Sequence, residues 1–355
     1  MSTLKVTNLQ HSSSSNAAIT LASDGSVAVQ TQTGMRNRLI NGQFSIDQRN
    51  AGVDTVVADA AYGPDRWKML GEDSLGKLKA KDTTVGGGRF NLALTCVTVN
   101  KKYGVIQFIE GINCKDLRGK TVILTANLSV SNTRLGNIKM GIIEWTSTED
   151  SLTSDPISTW NGDGTTPTLA TNFTFKNTPA NLNVTTTPTA YSVTATLGTT
   201  FTNLAVFIWN DDQAYTASDI VYITDVQLET GSLATPFEMR PFGVELALCQ
   251  RYYEKSYNVT VNPGTINSVG RIGFLTGSFP SNSRFPFVFK TNKRANPTIT
   301  IYSYSNGTSG NASDGSSTDF AIGTTSVGQN GFEIINNAVT TKDGFFLHYT
   351  ASAEL

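Results

Sequence analysis

The sequence contains little charge. Only 15% of its 355 residues are Asp, Glu, Lys or Arg, against roughly 25% in an average globular protein. The formal net charge is −1, and no basic stripe is present that would neutralise a run of phosphates. We therefore expect no nucleic-acid partner.

Long apolar runs are also missing. No window approaches the roughly 18 apolar residues of a membrane helix, and the N-terminus lacks the basic and then apolar pattern of a signal peptide. We expect a soluble chain without membrane insertion, made in the cytoplasm of whatever cell produces it. The three cysteines, Cys96, Cys114 and Cys249, are too few and too scattered for a disulfide scaffold, so we predict buried free thiols.

Catalytic motifs are equally scarce. His11 and His348 are the two histidines, and neither has a local context that would position a Ser/His/Asp triad or a zinc site. Glycoside hydrolysis needs only two carboxylates facing each other across a cleft, and the middle of the chain offers several. Those available include Glu144, Asp150, Asp155, Asp163, Asp211, Asp212, Asp225 and Glu229. We interpret them as solvated turn residues and predict that the chain is not an enzyme.

No cofactor or metal is predicted, with one alternative left open. The Asp-rich turns "NGDG" (161–164) and "NDDQ" (210–213) carry the oxygen ligands that a structural Ca²⁺ prefers.

Thr, Ser, Asn and Gly fill the place of the missing charges, and short apolar runs alternate with turns. This pattern predicts an all-β protein. We divide it into an N-terminal β-hairpin arm (1–34), a jelly-roll-like β-sandwich (35–242), a short connector helix (243–256) and a C-terminal small β-sandwich (257–355). In the last zone we predict six strands and a flexible loop over 305–319 without core residues.

The arm and the helix offer apolar surface. In the arm, "AAITLASDGSVAV" predicts a hairpin that turns at Asp24-Gly25. In the helix, Val244, Leu248 and Tyr252 recur at i, i+4 and i+8 on one face. This face packs either on the chain's own sandwich or on the same helix of another subunit, which makes the three residues candidate oligomer contacts.

Aromatic side chains provide the candidate binding residues, because aromatic faces stack on sugar rings. Trp145 and Trp209 end apolar strands and are predicted core residues. Trp160 lies in the polar loop 151–172, close to Asp163, and these two are the glycan-binding candidates. The alternative is that Trp160 anchors its loop on the sandwich.

Two segments resemble a known family. "MRNRLINGQFSIDQRN" followed by "GPDRW" resembles the opening of carbohydrate-binding-module-like domains in bacteriophage tail fibre proteins. "DVQLETGSLATPFEMRPFGVELALCQRYYEKSY" is similar to the closing segment of that domain and its exit helix. The N-terminus and "HYTASAEL" resemble the particle-proximal start and the distal domain of such fibres. The matching positions that we interpret as scaffold, with charged pairs joining the first and last strands of the sandwich, are Asn41, Phe44, Arg49, Asp65, Arg66, Trp67, Glu229 and Arg240.

The resemblance implies a virion structural protein: a tail fibre that forms a homotrimer, docks on other virion proteins through residues 1–34, and attaches to host surface glycan. A head fibre or capsid decoration is an alternative with the same architecture. A glycan-degrading tailspike is a second alternative, although no repeated β-helix pattern is present.

Overall fold

The computed structural model describes residues 6–9, 12, 19–21, 27–29, 35–73, 75–83, 90–211, 216, 218–314, 316–337 and 341–355. Strands dominate these residues, and the α-helix among them is nine residues long. The predicted all-β class is therefore confirmed. None of the described helices is long and apolar enough to span a membrane.

The N-terminal arm forms a small antiparallel sheet. Its strands, in spatial order, are β1 (Asn8–Leu9), β2 (Ile19–Leu21) and β3 (Val27–Val29). The pairing of β2 with β3 confirms the predicted hairpin, while its turn at Asp24-Gly25 lies outside the described residues.

The described residues of 35–242 form two large antiparallel sheets and a small two-stranded one, which confirms the predicted β-sandwich. The strands of this domain are β4 (Thr55–Ala58), β5 (Lys68–Gly71), β6 (Leu75–Asp82), β7 (Asn91–Cys96), β8 (Tyr103–Ile109), β9 (Thr121–Val130), β10 (Ile138–Trp145), β11 (Ile157–Thr159), β12 (Thr168–Leu169), β13 (Phe173–Phe175), β14 (Thr189–Thr196), β15 (Asn203–Asn210) and β16 (Ile220–Thr230). Within the described residues, the six-stranded sheet has the order β14-β9-β16-β7-β6-β4 and the five-stranded sheet the order β13-β10-β15-β8-β5.

The two faces of the sandwich differ in what covers them. Between the sheets, alternate apolar side chains such as Leu124 and Val206 form a fully buried core, as the period of two in a strand requires. On the outer face of the five-stranded sheet, residues 146–176 add a second apolar layer around Phe207 and Trp209. On the six-stranded sheet, the edge strand β14 is mostly exposed along its outer face.

The connector helix is shorter than predicted. It spans Phe242–Gln250 rather than 243–256, because the chain after it pairs as β17 (Tyr253–Lys255) with the last strand of the C-terminal domain. Val244 is 42% exposed and Leu248 is half-buried. Tyr252 lies beyond the helix and is buried within the same chain, where its hydroxyl donates to Glu110 at 2.8 Å. The predicted three-residue stripe is therefore not a single helical face.

The C-terminal domain is an eight-stranded antiparallel sheet around its own core. Besides β17, its strands are β18 (Ile272–Phe279), β19 (Arg284–Val288), β20 (Thr298–Ser303), β21 (Asn311–Ser313), β22 (Asp319–Thr325), β23 (Gly331–Asn336) and β24 (Lys342–Ser352). All six predicted strands are present. The prediction for 305–319 was wrong in part, since β21 lies inside it and Ala312 is fully buried in the core. Ala312 is small and its neighbours in the sequence are polar. No apolar pattern therefore marks this strand in the sequence.

Two arginines of the opening motif join the sandwich to the C-terminal domain. Arg49 and Arg66 both form ion pairs with Glu354, and the Arg49 Nη2 to Glu354 Oε1 distance is 3.0 Å. The Tyr62 hydroxyl donates to the Leu355 carbonyl oxygen at 2.7 Å. We predicted that these arginines would pair with carboxylates of the last sandwich strand, and this was wrong. Their shared partner, Glu354, lies in the C-terminal domain.

Asp65 lies beneath this contact and is fully buried. Its carboxylate accepts the Gln48 N–H at 2.8 Å and is 3.9 Å from the nearest Arg49 nitrogen. Burial raises the pKa of Asp65 to about 6, since the loss of hydration outweighs the attraction of Arg49. Asp65 thus fixes the segment that carries Arg49.

Candidate functional site

The matched opening motif builds a tight turn beside the six-stranded sheet. Asn41 and Phe44 have positive φ angles of 59° and 53°. The Asn41 side chain stabilises the turn by donating to the Ile46 carbonyl and accepting the Ile46 N–H. Phe44 lies 5.0 Å from the ring of Trp67, whose Nε1 donates to the Asn41 carbonyl oxygen. These residues form a scaffold that holds Gln43 at the surface.

This turn packs on a β-bulge in β16. A Cβ on Gly42 would lie 2.2 Å from the Val226 carbonyl oxygen, so only glycine allows the close approach. The pairing of β16 with β9 shifts register here, and Asp225 has a positive φ of 52°. As a result the Asp225 carboxylate faces Gln43, whose Nε2 donates to Oδ1 at 3.0 Å.

The matched closing motif places a third segment against the turn. The Glu229 carboxylate accepts hydrogen bonds from the N–H and the hydroxyl of Thr235, both at 2.9 Å. Arg240 forms an ion pair of 3.2 Å with Glu245 on the helix. Residues 234–239 are therefore held at both ends beside the outer face of the six-stranded sheet.

These three segments enclose a cleft of about 340 Å³, which is within the size range of ligand pockets. Its floor is formed by β9, β14 and β16, and its walls by the turn and by residues 234–239. The lining residues are Gln43, Thr125, Ala126, Asn127, Ala190, Asp225, Ala234, Thr235, Pro236, Phe237 and Met239. We call this site the sheet cleft.

The sheet cleft combines polar groups with an apolar wall. The Asn127 Oδ1 is buried on the floor and has no hydrogen-bond partner. Ala190 and Thr224 flank Asn127 in the neighbouring strands. On the wall, Phe237 is half-buried and Met239 is 69% exposed. The cleft can therefore offer hydrogen bonds to one side of a ligand and apolar contact to another.

The predicted binding candidates lie elsewhere. Trp160 is half-buried in the apolar layer over the five-stranded sheet, and its ring is 6.1 Å from that of Phe207 in an edge-on arrangement. This is the arrangement expected of a loop anchor. Asp163 is exposed in the same loop. Neither residue lines the sheet cleft.

Two lysines hold the turn that carries Asp163. Lys102 and Lys139 are both buried and form ion pairs with Asp211 at 3.1 and 2.6 Å. Their ammonium groups also donate to backbone carbonyls of residues 161, 162 and 164. A calcium ion bound to these oxygens would have to displace both cations. The described residues contain no group of three or more metal-binding side chains.

Other reactive side chains have structural partners. His348 is buried, and its Nε2 donates to the Asn267 carbonyl oxygen at 2.9 Å. Its Nδ1 hydrogen-bonds with the Ser256 hydroxyl at 2.9 Å, and its ring stacks on that of Tyr257 with 3.7 Å between the centres. Cys114 and Cys249 are buried and unpaired, as predicted for these two thiols. The side chain of Cys96 and residue His11 lie outside the described residues.

Few features of the sequence indicate the sheet cleft. Asp225 is one of the candidate carboxylates and Phe237 lies in the closing motif, but neither is marked as a binding residue, and Gln43 and Asn127 belong to no candidate set. Gln43 occupies the variable position inside the opening motif, and Asn127 is one polar residue in an alternating strand. The stretch Asn41-Gly42-Gln43-Phe44 carries the usable signal. Its Asn-Gly pair is typical of a turn, and the polar residue that follows the pair, Gln43, is then presented beside the turn.

No protein family and no curated protein matches the chain in sequence. Several solved structures are similar in fold. A structure of the CBM22-1 and GH10 modules of xylanase 10B from Clostridium thermocellum, bound to xylohexaose, has 16% identity and a TM-score of 0.32. The match covers 55% of this chain and 30% of the xylanase structure, so this chain spans under a third of its length.

A structure described as a CBM4 module has 14% identity and a TM-score of 0.29, covering 54% of this chain and 98% of the module. The enzymatically active domain of tailspike protein 4 from bacteriophage CBA120 has 12% identity and a TM-score of 0.29. There the match covers 55% of this chain and 22% of the tailspike structure.

Proposed function

We propose that this chain is a non-enzymatic adhesion subunit of a phage tail fibre, which binds host surface glycan through the sheet cleft. The observation that carries the proposal is the cleft itself. It lies on the outer face of the six-stranded sheet, and three separately anchored segments shape it. Such rigid support is what a preformed ligand site requires.

The chemistry of the lining supports a sugar ligand. A sugar ring presents hydroxyls at its edge and C–H groups on its faces. Asn127 and Asp225 supply polar partners for the hydroxyls, while Phe237 and Met239 supply apolar surface for a face. The small side chain of Ala190 leaves room for a ring on the floor.

Binding without cleavage is the favoured activity. Glycoside hydrolysis uses two carboxylates on opposite sides of the bond. Among the described residues that line the cleft, Asp225 is the one carboxylate. We therefore expect host polysaccharide to be bound and released without a gain in reducing ends.

The blocking experiment for this proposal uses Ala190→Trp. The indole would fill the cleft floor, so adsorption of the protein to host cells should fall at least tenfold. Thr194→Trp is the matched control, because Thr194 is exposed on the same strand but about 13 Å further along it. Equal adsorption of the two variants would refute cleft-mediated attachment, and a reducing-sugar assay on the same material tests for cleavage.

We further propose that the subunit forms a homotrimer and docks on the virion through residues 1–34. Exposed apolar residues support self-association: Phe242 and Val244 lie on the connector helix, and Leu233 precedes it in the chain. The strands of the arm are only two or three residues long, which is too short for independent stability. Deletion of 1–34 should leave a folded trimer, measured by light scattering, that is absent from purified particles. An arm-deleted protein found on particles would place attachment elsewhere.

A further inference from the structure

We propose that the C-terminal domain carries a second glycan site, separate from the sheet cleft, in which Arg271 binds the carboxylate of an acidic sugar. This inference goes beyond the proposed function, because it concerns another domain and a defined class of ligand. It follows from the face on which Arg271 lies, from the aromatic rings that hold it, and from its lack of a counter-charge.

The first step concerns the position of Arg271. At Leu347, β24 pairs with β18 and with β20 at the same time. Leu347 belongs to the core of the domain, so its neighbours Phe346 and His348 point to the opposite face of the sheet. On β20, Tyr302 lies directly beside His348. Arg271 immediately precedes β18 and reaches Phe346 on this face, which we call the aromatic face.

The second step concerns how Arg271 is held. Its guanidinium carbon lies 4.2 Å from the ring centre of Phe346 and 4.4 Å from that of Tyr304. The Tyr304 hydroxyl is in turn hydrogen-bonded to the Ser317 hydroxyl at 2.9 Å. The residue paired with Phe346 on β18 is Gly273, which has no side chain to fill the space beside the ring. A guanidinium stacked on aromatic rings is pre-organised for binding.

The third step concerns charge. In the part of the chain that the structure describes, no carboxylate pairs with Arg271 and no acceptor takes a hydrogen bond from it. None of its nitrogens is both buried and unpartnered, so its N–H groups face solvent. Arg66 and Arg240, by contrast, each have a carboxylate partner. The fork of a guanidinium matches the two oxygens of a carboxylate, and Arg271 can bind one without losing a partner within the chain.

The fourth step concerns the kind of ligand. A peptide binds a sheet by adding a strand to a free edge, and β24 has neighbouring strands on both sides here. The aromatic face instead offers the half-buried rings of Tyr304 and Phe346. Loop 264–270 is hydrogen-bonded to the Tyr304 carbonyl oxygen and exposes Ile266 and Val269. One cationic fork amid apolar surface fits a sugar ring that carries one carboxylate.

The test uses the full-length protein on a printed array. The array carries glycans with carboxylate-bearing sugars, the same glycans after reduction of the carboxyl group to an alcohol, sulfated glycans and a glutamate-rich peptide. We expect the carboxylate-bearing glycans to bind at least about tenfold more tightly than their reduced forms. Arg271→Gln should remove this difference, and Arg271→Lys should keep only part of it, because an ammonium lacks the fork. Arg284→Gln is the matched control, since Arg284 is an exposed arginine of the same domain, and it should match the wild type.

Four outcomes would overturn this inference. They are an array without any bound carboxylate-bearing glycan, equal binding of the carboxylate-bearing and reduced forms, a preference for sulfated glycans, and an unchanged difference in Arg271→Gln. Binding of the glutamate-rich peptide alone would replace the glycan with an acidic protein partner. If Arg271→Gln does not fold, the wild-type comparison and Arg271→Lys still decide.

The sheet cleft provides the variant that separates this inference from the proposed function. Ala190→Trp should leave the preference for carboxylate-bearing glycans unchanged. If the preference is lost in Ala190→Trp, these glycans bind in the sheet cleft and the second site is refuted. The proposed function fails instead if Ala190→Trp leaves cell adsorption intact, whatever the array shows.

Discussion

The contact between the two domains makes a quantitative prediction for Glu354→Gln. The Arg66 side chain is 1% exposed and that of Glu354 is 6% exposed. Arg66 also donates to the Phe108 carbonyl at 2.7 Å and lies 3.5 Å from the ring centre of Tyr252. Burial alone lowers the pKa of the Arg66 guanidinium, but the charge of Glu354 more than offsets this, and the net shift is upward. Arg66 therefore stays charged and needs its carboxylate.

Glutamine keeps the shape of Glu354 and removes its charge, so a buried guanidinium would be left without a counter-ion. Removing one partner of a buried ion pair costs about 3–5 kcal/mol. This is a large share of the roughly 5–15 kcal/mol that stabilises a folded domain. We expect the free energy of unfolding to fall by about 3 kcal/mol or more, and the two domains to unfold in separate transitions.

Urea unfolding measures the loss of stability and the separation of the two transitions, with two spectroscopic signals. All four tryptophans, Trp67, Trp145, Trp160 and Trp209, lie in the sandwich, so their fluorescence reports that domain, while circular dichroism reports both. Glu333→Gln is the matched control, because its pair with Arg284 spans 3.7 Å between side chains that are 32% and 56% exposed. Exposed pairs contribute about 1 kcal/mol or less. A loss below about 1 kcal/mol for Glu354→Gln, equal to the control, would refute the role of this contact.

Two further predictions follow from the described contacts. Trp160→Ala should lower the free energy of unfolding by about 2 kcal/mol, roughly half the cost of removing a fully buried tryptophan, and leave adsorption to host cells unchanged. Lost adsorption at unchanged stability would move the site to the 151–172 loop. Acid should destabilise the C-terminal domain through His348. Burial lowers the pKa of His348 below the ordinary value of 6.5, and the charge of Arg271 lowers this pKa further. The hydrogen bond to the Asn267 carbonyl raises the pKa, but by less. The stability that its neutral form contributes is complete above about pH 6.5 and is lost as the pH falls through the lower folded pKa. The measurement compares the melting temperatures of the wild type and His348→Gln between pH 7.5 and 5. The difference between the two proteins isolates the contribution of His348 from that of the buried Asp65, whose raised pKa acts in the opposite direction. Parallel curves for the two proteins would contradict a contribution from His348.

Local patterns in the sequence determined the class of the fold and most of its strands. Strands such as β10 and β15 are mostly apolar runs between turn residues, and this signal needs no knowledge of distant partners. The hairpin of the arm and the strands of the C-terminal domain were predictable for the same reason. The burial of Cys114 and Cys249 followed from their number and spacing.

Only the tertiary structure decided where elements end and which polar residues meet. The chain after Gln250 continues as β17 rather than as helix because β24, about 100 residues later, pairs with it. Arg66 meets Glu354 across 288 positions of the sequence, and no local pattern encodes such a pair.

The sheet cleft is decided in the same way. Gln43, Asn127 and Asp225 come from three distant segments, and each is an ordinary polar residue in its own surroundings. They converge because Gly42 lets the turn approach β16 and because a bulge rotates Asp225 toward it. Strand patterns depend on neighbours along the chain, whereas a binding site depends on which strands pair and in what register. The sequence alone therefore determined the sandwich, and the pairing of its strands decided where that sandwich can hold a ligand.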